Sequence, residues 1–326
     1  MQYEGKTVLE LGERATLAQT ISHFKPVAST LVGSGDDAAV ISLNDSRFVV
    51  TTDSMVEGRD FRIDLSSGFD IGFKAAATNL SDVAAMGATP NSLVVALLIE
   101  KETKVAWLED FARGLQAAID QLAPTAAVVG GDLSLADQIV VSVTAHGDLA
   151  GKQPILRSGA KPGDQIAIAG TLGKAAAGLD LLLHPDKTLA ASYPELVGVQ
   201  LRPTPPIAKA IEADANAMMD ISDSLALDAH RMAKASGVQL RINKADLLGY
   251  VAVLEQAAQS LSSRDNREIN PLDWVLFGGE DHGFLASFSP GEVPIGFRVI
   301  GEVAQGQGVL LDGVELPAKG WDSVSS

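Results

Sequence analysis

Apolar and polar positions along the first half of the chain switch repeatedly between a two-residue and a helical period. Ala38–Leu43 and Arg47–Thr52 read as strands, parted by the turn residues Asn44, Asp45 and Ser46. Ser66–Met86 predicts a helix closed by Gly87 and then Pro90. Leu93–Ile99 predicts a strand, Lys104–Leu122 a helix, Ala126–Val129 a strand and Gln138–His146 a strongly β-branched strand. A run rich in Gly, Pro and basic residues, Gly151 to Gly163, is the clearest boundary in the chain, dividing it into 1–150 and 151–326. Beyond it Gln165–Ala169, Met218–Ile221 and Val238–Ile242 predict strands, and Leu172–Leu183, Leu225–Ser236 and Val251–Leu261 predict helices. Phe284–Phe288 and Phe297–Val303 read as extended. The pattern predicts an α/β protein of the α+β type, two domains of sheet covered by helices.

Composition narrows the partners. The 326 residues carry 25 Lys and Arg against 41 Asp and Glu, a net charge of −16. Such a field repels nucleic acid and anionic membranes. It also repels a phosphorylated substrate unless cations lie between. No cysteine is present, which excludes disulfides, thiolate metal sites and cysteine nucleophiles. The start of the chain is acidic and amphipathic, unlike a signal peptide, and the longest apolar runs, such as Leu93–Ile99, are too short to span a bilayer. A soluble, cytoplasmic protein is expected.

Placement singles out some of the acids. Asp36-Asp37 follows Gly33-Ser-Gly35, Asp53 lies where FVVTTD runs out, and Asp132 follows Val128-Val129-Gly130-Gly131. Asp220 and Asp223 bracket the exit from a strand, and Glu280-Asp281 follow Phe277-Gly278-Gly279. Acids repeatedly delivered to the carboxyl ends of strands point to one shared crevice, and adjoining glycines let backbone approach a ligand. Asp82 shares a face of its helix with Asn79. Each acid alone has a plain structural reading: Asp36 as a turn former, Asp223 as an acid favouring a helix N-terminus. Converging carboxylates repel by about 4 kcal/mol per pair at ~4 Å and an effective dielectric of ~20, so they protonate or bind divalent cations. Oxygen ligands with few histidines favour magnesium or manganese, which would bridge an acidic protein to a polyphosphate.

Other motifs fail on context. Gly33-Ser-Gly35-Asp-Asp-Ala38 fits a dinucleotide fingerprint, but no clear strand precedes it and no helix follows. Gly170-Thr-Leu-Gly173-Lys174 follows a strand like a P-loop, yet the spacing is short and Ala175 stands where Ser or Thr should hold the metal. It reads instead as a Gly-assisted strand-to-helix turn.

Seven segments occur in order: GDDAAV (35–40), TTDSMVEGRDF (51–61), KAAATNLSDVAAMGATP (74–90), VVGGDLS (128–134), RSGAKPGD (157–164), MDISDSL (219–225) and GGEDHGF (278–284). Together they resemble the thiamine-monophosphate kinases, of the superfamily that includes aminoimidazole ribonucleotide synthetase and selenophosphate synthetase. The resemblance runs from about Leu11 to Trp321. It implies mixed sheets covered by helices, a homodimer formed through the sheet of the N-terminal domain, and an ATP site fed by both domains. It further implies transfer of phosphate from ATP to thiamine monophosphate, with several magnesium ions.

Carried over by motif, Asp37, Asp53, Asp82, Asp132, Asp220 and Asp223 match magnesium ligands, assisted by Thr51 and Thr52. Gly131, Asp132, Arg157 and Ser222 match nucleotide-phosphate contacts. Asp53, Asp132, Arg157 and Asp220 are then the residues expected to carry catalysis. Glu280 and Trp321 match the thiamine site, although Trp321 also suits a packing role. Two positions depart from the family. Asp60 stands where a His often precedes the Phe, which touches a substrate contact. Ser224 replaces a usual Gly and would put a side chain near the metals. Selenophosphate synthesis and hydrogenase maturation would each call for a Cys that the chain lacks. The alternatives left are aminoimidazole ribonucleotide synthesis and an inactive relative that binds thiamine diphosphate or nucleotide.

Overall fold

The computed structural model describes residues 5–34 and 38–321, so Asp36 and Asp37 lie outside the described residues. Two compact units form. One runs through Ala84 and from Ala88 to Gln153; the other comprises Ala85–Gly87 and the chain from Pro154 onward.

The N-terminal unit holds a short ladder of β1 (Thr30–Val32) with β2 (Val40–Ile41), and a four-stranded sheet. That sheet contains β3 (Phe48–Val56), β4 (Thr89–Ile99), β5 (Ala127–Leu135) and β6 (Val140–Asp148) in the order β3-β6-β4-β5. Only β4 and β5 run parallel. Alternation along the strands sends Val141, Val143, Ala145, Leu93, Val95 and Leu97 to a buried face. The helix Gly68–Ala85 lies against this face, with Val83 over Gly147. The helix Val105–Leu122 packs on the first helix through glycine. A Cβ at Gly72 would lie 2.0 Å from the Phe111 carbonyl oxygen, and one at Gly114 would lie 2.0 Å from that of Phe69. The other face, with Val50, Thr52, Ser54, Ser142, Thr144 and Val94, stays at least partly open to solvent.

The strands outrun their sequence signal. Asp53 falls inside β3 and Asp132 inside β5, because the pairing of β3 with β6 and of β4 with β5 continues past both. The expectation that these two acids stand at strand ends is therefore corrected. A bulge at Val129, between Val128 and Gly130 and opposite Leu93–Val94, lets β5 continue through its glycines, which carry no apolar alternation to read.

The C-terminal unit is built on a seven-stranded sheet. Its strands are β7 (Gln165–Ala169), β8 (Ala217–Asp220), β9 (Gln239–Ile242), β10 (Phe284–Phe288), β11 (Arg298–Ala304), β12 (Gly308–Leu311) and β13 (Val314–Glu315). They lie in the order β13-β12-β9-β11-β7-β10-β8. Phe284 pairs with Asp220 on one side and Ala169 on the other, so β7 and β8 end on the same edge. Helices Leu225–Ser236, Lys174–Leu183 and Pro271–Phe277 contribute to a continuous core with Ile168, Met219, Leu240 and Ile300. The helix expected over Val251–Leu261 is two helices, Lys244–Ala252 and Glu255–Asp265. Leu254, just before the second helix, and Ala257, Ala258 and Leu261 on it are buried, and that unbroken helical spacing hides the break.

Candidate active site

In the C-terminal unit, β8 delivers Asp220 to its last position, where the side chain is buried. The next residues, Ile221-Ser-Asp-Ser224, are matched by the segment that returns into β10. Glu280 N–H donates to the Ser222 carbonyl (2.8 Å), His282 N–H to that of Ile221 (3.1 Å) and Ile221 N–H to that of Gly283 (2.7 Å). The approach is close: a Cβ on Gly279 would stand 2.6 Å from the Ser222 oxygen. Glu280 and His282 both adopt positive φ, 66° and 52°, a cost of order 1–3 kcal/mol each that the surrounding pairing holds in place. Gln200 donates to the Glu280 carboxylate at 2.7 Å, and His282 Nδ1 lies 3.4 Å from Asp220 Oδ2.

The acid beneath this loop was missed in the sequence. Asp228 is fully buried in the first turn of the helix Leu225–Ser236, where it accepts the N–H groups of Asp223 (3.1 Å) and Ser224 (3.2 Å). Burial, with the charge of Asp220 second, pushes its pKa up to about 6, against the pull of the Ser224 N–H and Arg231. Arg231 Nη1 bridges the Asp223 (2.5 Å) and Asp228 (2.6 Å) carboxylates. The available signal was the three-residue spacing from Asp228 to Arg231, which reads equally well as a solvated helix pair. Ser224 caps the same helix: its Oγ accepts from Leu227 N–H and donates to the Lys319 carbonyl. Its hydroxyl is thus engaged with the helix start and the C-terminal segment. Trp321 N–H donates to the Asp223 carbonyl at 3.0 Å, which ties the chain end to the acid loop. Arg157 is exposed, its carbonyl accepting from Ser236 Oγ at 2.8 Å.

In the N-terminal unit, Thr51 Oγ1 donates to Asp82 Oδ2 at 3.0 Å, so β3 and the helix Gly68–Ala85 bring those two together. Thr52, one residue on, faces the open side and donates to the Val143 carbonyl. Asp53 is exposed and accepts the Ser54 N–H. Asp132 is exposed and accepts from Ser134 Oγ at 2.8 Å. Gly131 must be glycine, since a Cβ there would meet the Val95 carbonyl at 2.2 Å. Strands β6 and β4 separate Asp53 from Asp132, about 14 Å at ~4.8 Å per strand, so this sheet does not bring the two together. Asp60 turns its carboxylate onto the Val56 N–H (2.7 Å) and closes the turn after β3.

Among the described residues no three Asp, Glu or His side chains gather closely enough to hold a metal ion by themselves. The donors present are nonetheless carboxylate and hydroxyl oxygens, the chemistry a hard cation takes. Partial donor sets suit magnesium, which keeps several positions for water and substrate phosphate.

Asp281 stands apart from these acids. It is buried, accepting from Thr171 Oγ1 (2.6 Å) and Gly173 N–H (2.7 Å), and burial pushes its pKa up to about 6 despite those bonds. Its folded-state pKa lies above its ordinary value, so the folded protein holds a proton that the unfolded chain releases between about pH 4 and 6. Stability from this group is greatest below that window and falls as pH rises through it. Asp281→Asn removes the dependence. Its stability relative to the parent rises by about 3 kcal/mol from pH 4 to 7 in urea unfolding. A difference that stays constant with pH would contradict this assignment.

Comparisons with known proteins agree on one class. Residues 35–149 match the family model for the AIR synthase related protein, N-terminal domain. Thiamine-monophosphate kinase of Mycobacterium tuberculosis (strain CDC 1551 / Oshkosh) is 41% identical over 98% of this chain and 94% of its own length. The crystal structure of thiamine-monophosphate kinase from Stenotrophomonas maltophilia K279a superposes with a TM-score of 0.76 at 32% identity, covering 93% of this chain and 96% of that one. A structure of AaThiL complexed with AMPPCP and TMP gives a TM-score of 0.73 at 29% identity, over 98% of this chain and 99% of that one. These matches define an ATP-dependent enzyme of the AIR synthase-related class. The chain belongs to the thiamine-monophosphate kinase family.

Proposed function

We infer that this chain transfers the γ-phosphoryl group of ATP to the phosphate of thiamine monophosphate, releasing ADP and thiamine diphosphate. The observation that carries this is 41% identity to a thiamine-monophosphate kinase along 98% of the chain. A monoester phosphate, with a second pKa near ~6, is a dianion at neutral pH. Its oxygen bonds to the γ-phosphorus as the bond to the β,γ-bridging oxygen breaks, and no general base is needed. The task left to the protein is alignment and charge neutralisation.

Asp37, Asp53, Asp82, Asp132, Asp220 and Asp223, with Thr51 and Thr52, are the oxygen donors for magnesium. Bound magnesium supplies the positive charge that draws phosphates to an acidic surface and offsets the charge of the transferring group. Gly131, Asp132, Arg157 and Ser222 meet the nucleotide phosphates. Glu280, held by Gln200, and Trp321 meet thiamine monophosphate. Asp60 acts there by shaping the turn after β3.

The partly open sheet face with Val50, Thr144 and Val94 supports a homodimer, to be checked as a solution mass of twice 33.9 kDa. No helix among the described residues is long and apolar enough to cross a membrane, and the net charge of −16 suits a cytoplasmic enzyme. The deciding assay measures ADP and thiamine diphosphate formed from ATP, magnesium and thiamine monophosphate. Product that needs all three and stops with EDTA is expected; ligand binding without ADP would instead mean an inactive relative.

A further inference from the structure

The strand-to-helix turn Gly170–Lys174 has no part in the function above, yet it walls a cavity of about 390 Å³ at the carboxyl end of β7. The cavity continues along Gly249, Tyr250 and Val253 and closes on Gly296, Phe297 and Arg298. None of Asp220, Ser222, Asp223 and Glu280 lines it. Its volume lies within the range of small-molecule sites.

Charge and shape both mark it. The chain has 41 acids to 25 bases, yet this cavity is lined by Lys174 and Arg298 and by no Asp or Glu. Neither base forms an ion pair among the described residues, whereas Arg47, Arg62, Arg231, Arg264 and Arg267 all do. Asp281, beside the same turn, is turned onto Thr171 and the Gly173 N–H, so the helix start is already satisfied and the two side chains remain to meet an anion. Arg298 lies on the Tyr250 ring, its guanidinium carbon 5.2 Å from the centroid. That position depends on glycine, because a Cβ at Gly249 would stand 2.2 Å from Arg298 Nη1. Ile168, Val253 and Phe297 supply apolar wall.

We propose that this cavity binds a small organic phosphate, its phosphate held by Lys174 and Arg298 and its body against the apolar wall, at a site separate from the one that turns over ATP. The inference stands whether or not the kinase reading holds, since its test reads binding alone. Pyridoxal 5′-phosphate is the probe, as it carries a phosphate and an aldehyde that a lysine amine converts to an imine with loss of water. Borohydride then reduces the imine, and peptide mass spectrometry maps the modified lysines of the full chain in saturating ATP and magnesium. Lys174 should label half-maximally at a concentration at least tenfold below that for the exposed Lys161 and Lys234. Arg298→Met and Gly249→Val should each remove that advantage, and Arg298→Lys should restore part of it, with unchanged thermal melting of the variants. Lys174 labelling no better than Lys161, or equally well in Arg298→Met, would overturn the site. Protection of Lys174 by ATP would overturn its separateness.

Discussion

Asp220→Asn is expected to lower turnover about a thousandfold while leaving the protein folded. Asparagine has the size of aspartate, so β8 and its pairing with Phe284 are retained, and thermal melting should shift by only a few degrees. The loss is electrostatic. One unit charge facing a cation at ~4 Å contributes about 4 kcal/mol at an effective dielectric of ~20, which is close to three powers of ten in rate. The same change removes the like charge that helps raise Asp228, whose pKa should fall toward the ordinary carboxylate range. Manganese binding followed by electron paramagnetic resonance should weaken in parallel, which separates loss of a ligand from loss of a contact made only during transfer. Normal turnover together with unchanged manganese affinity would remove Asp220 from the site.

Gly72→Ala is expected to destabilise the N-terminal unit by about 3 kcal/mol, the upper range for overpacking, with a fall in melting temperature of roughly 6–12 °C. The sign opposes helix propensity, because the same swap in an exposed helix gains up to about 1 kcal/mol. Packing decides it: the new Cβ would lie 2.0 Å from the Phe111 carbonyl oxygen and 3.0 Å from the Leu115 nitrogen, and both are backbone atoms of a helix that cannot shift alone. Gly198, in the helix Pro194–Leu201, has nothing within 4 Å of its Cβ position. Gly198→Ala should therefore be neutral or slightly stabilising. Equal effects at the two positions would mean that the helix Val105–Leu122 does not sit where the structure places it.

Several features were set by local sequence. Strand and helix identity followed from period, as in the helices Gly68–Ala85 and Val105–Leu122, where apolar side chains recur at helical spacing and glycine or proline ends the run. The oxygen-only chemistry followed from composition, since a chain without cysteine and rich in aspartate has no softer ligands to offer. Ordered motifs carried the resemblance to the kinase family. Tertiary structure decided what depends on pairing and burial. That Asp53 and Asp132 lie within strands is a property of their partners β6 and β4, which extend the ladders through Gly130 and Gly131 where the sequence shows no alternation. Asp228 and Arg231 look like an ordinary surface pair on their helix. Only the fold buries Asp228 under the N–H groups of Asp223 and Ser224, and burial with the charge of Asp220 raises its pKa. The same holds for Asp281: nothing within Gly-Gly-Glu-Asp-His shows that its carboxylate reaches the turn before Lys174, some 110 residues earlier in the chain. A carboxylate's partners and hydration are set by whichever segments fold over it, and contacts at that sequence distance leave no local period to read.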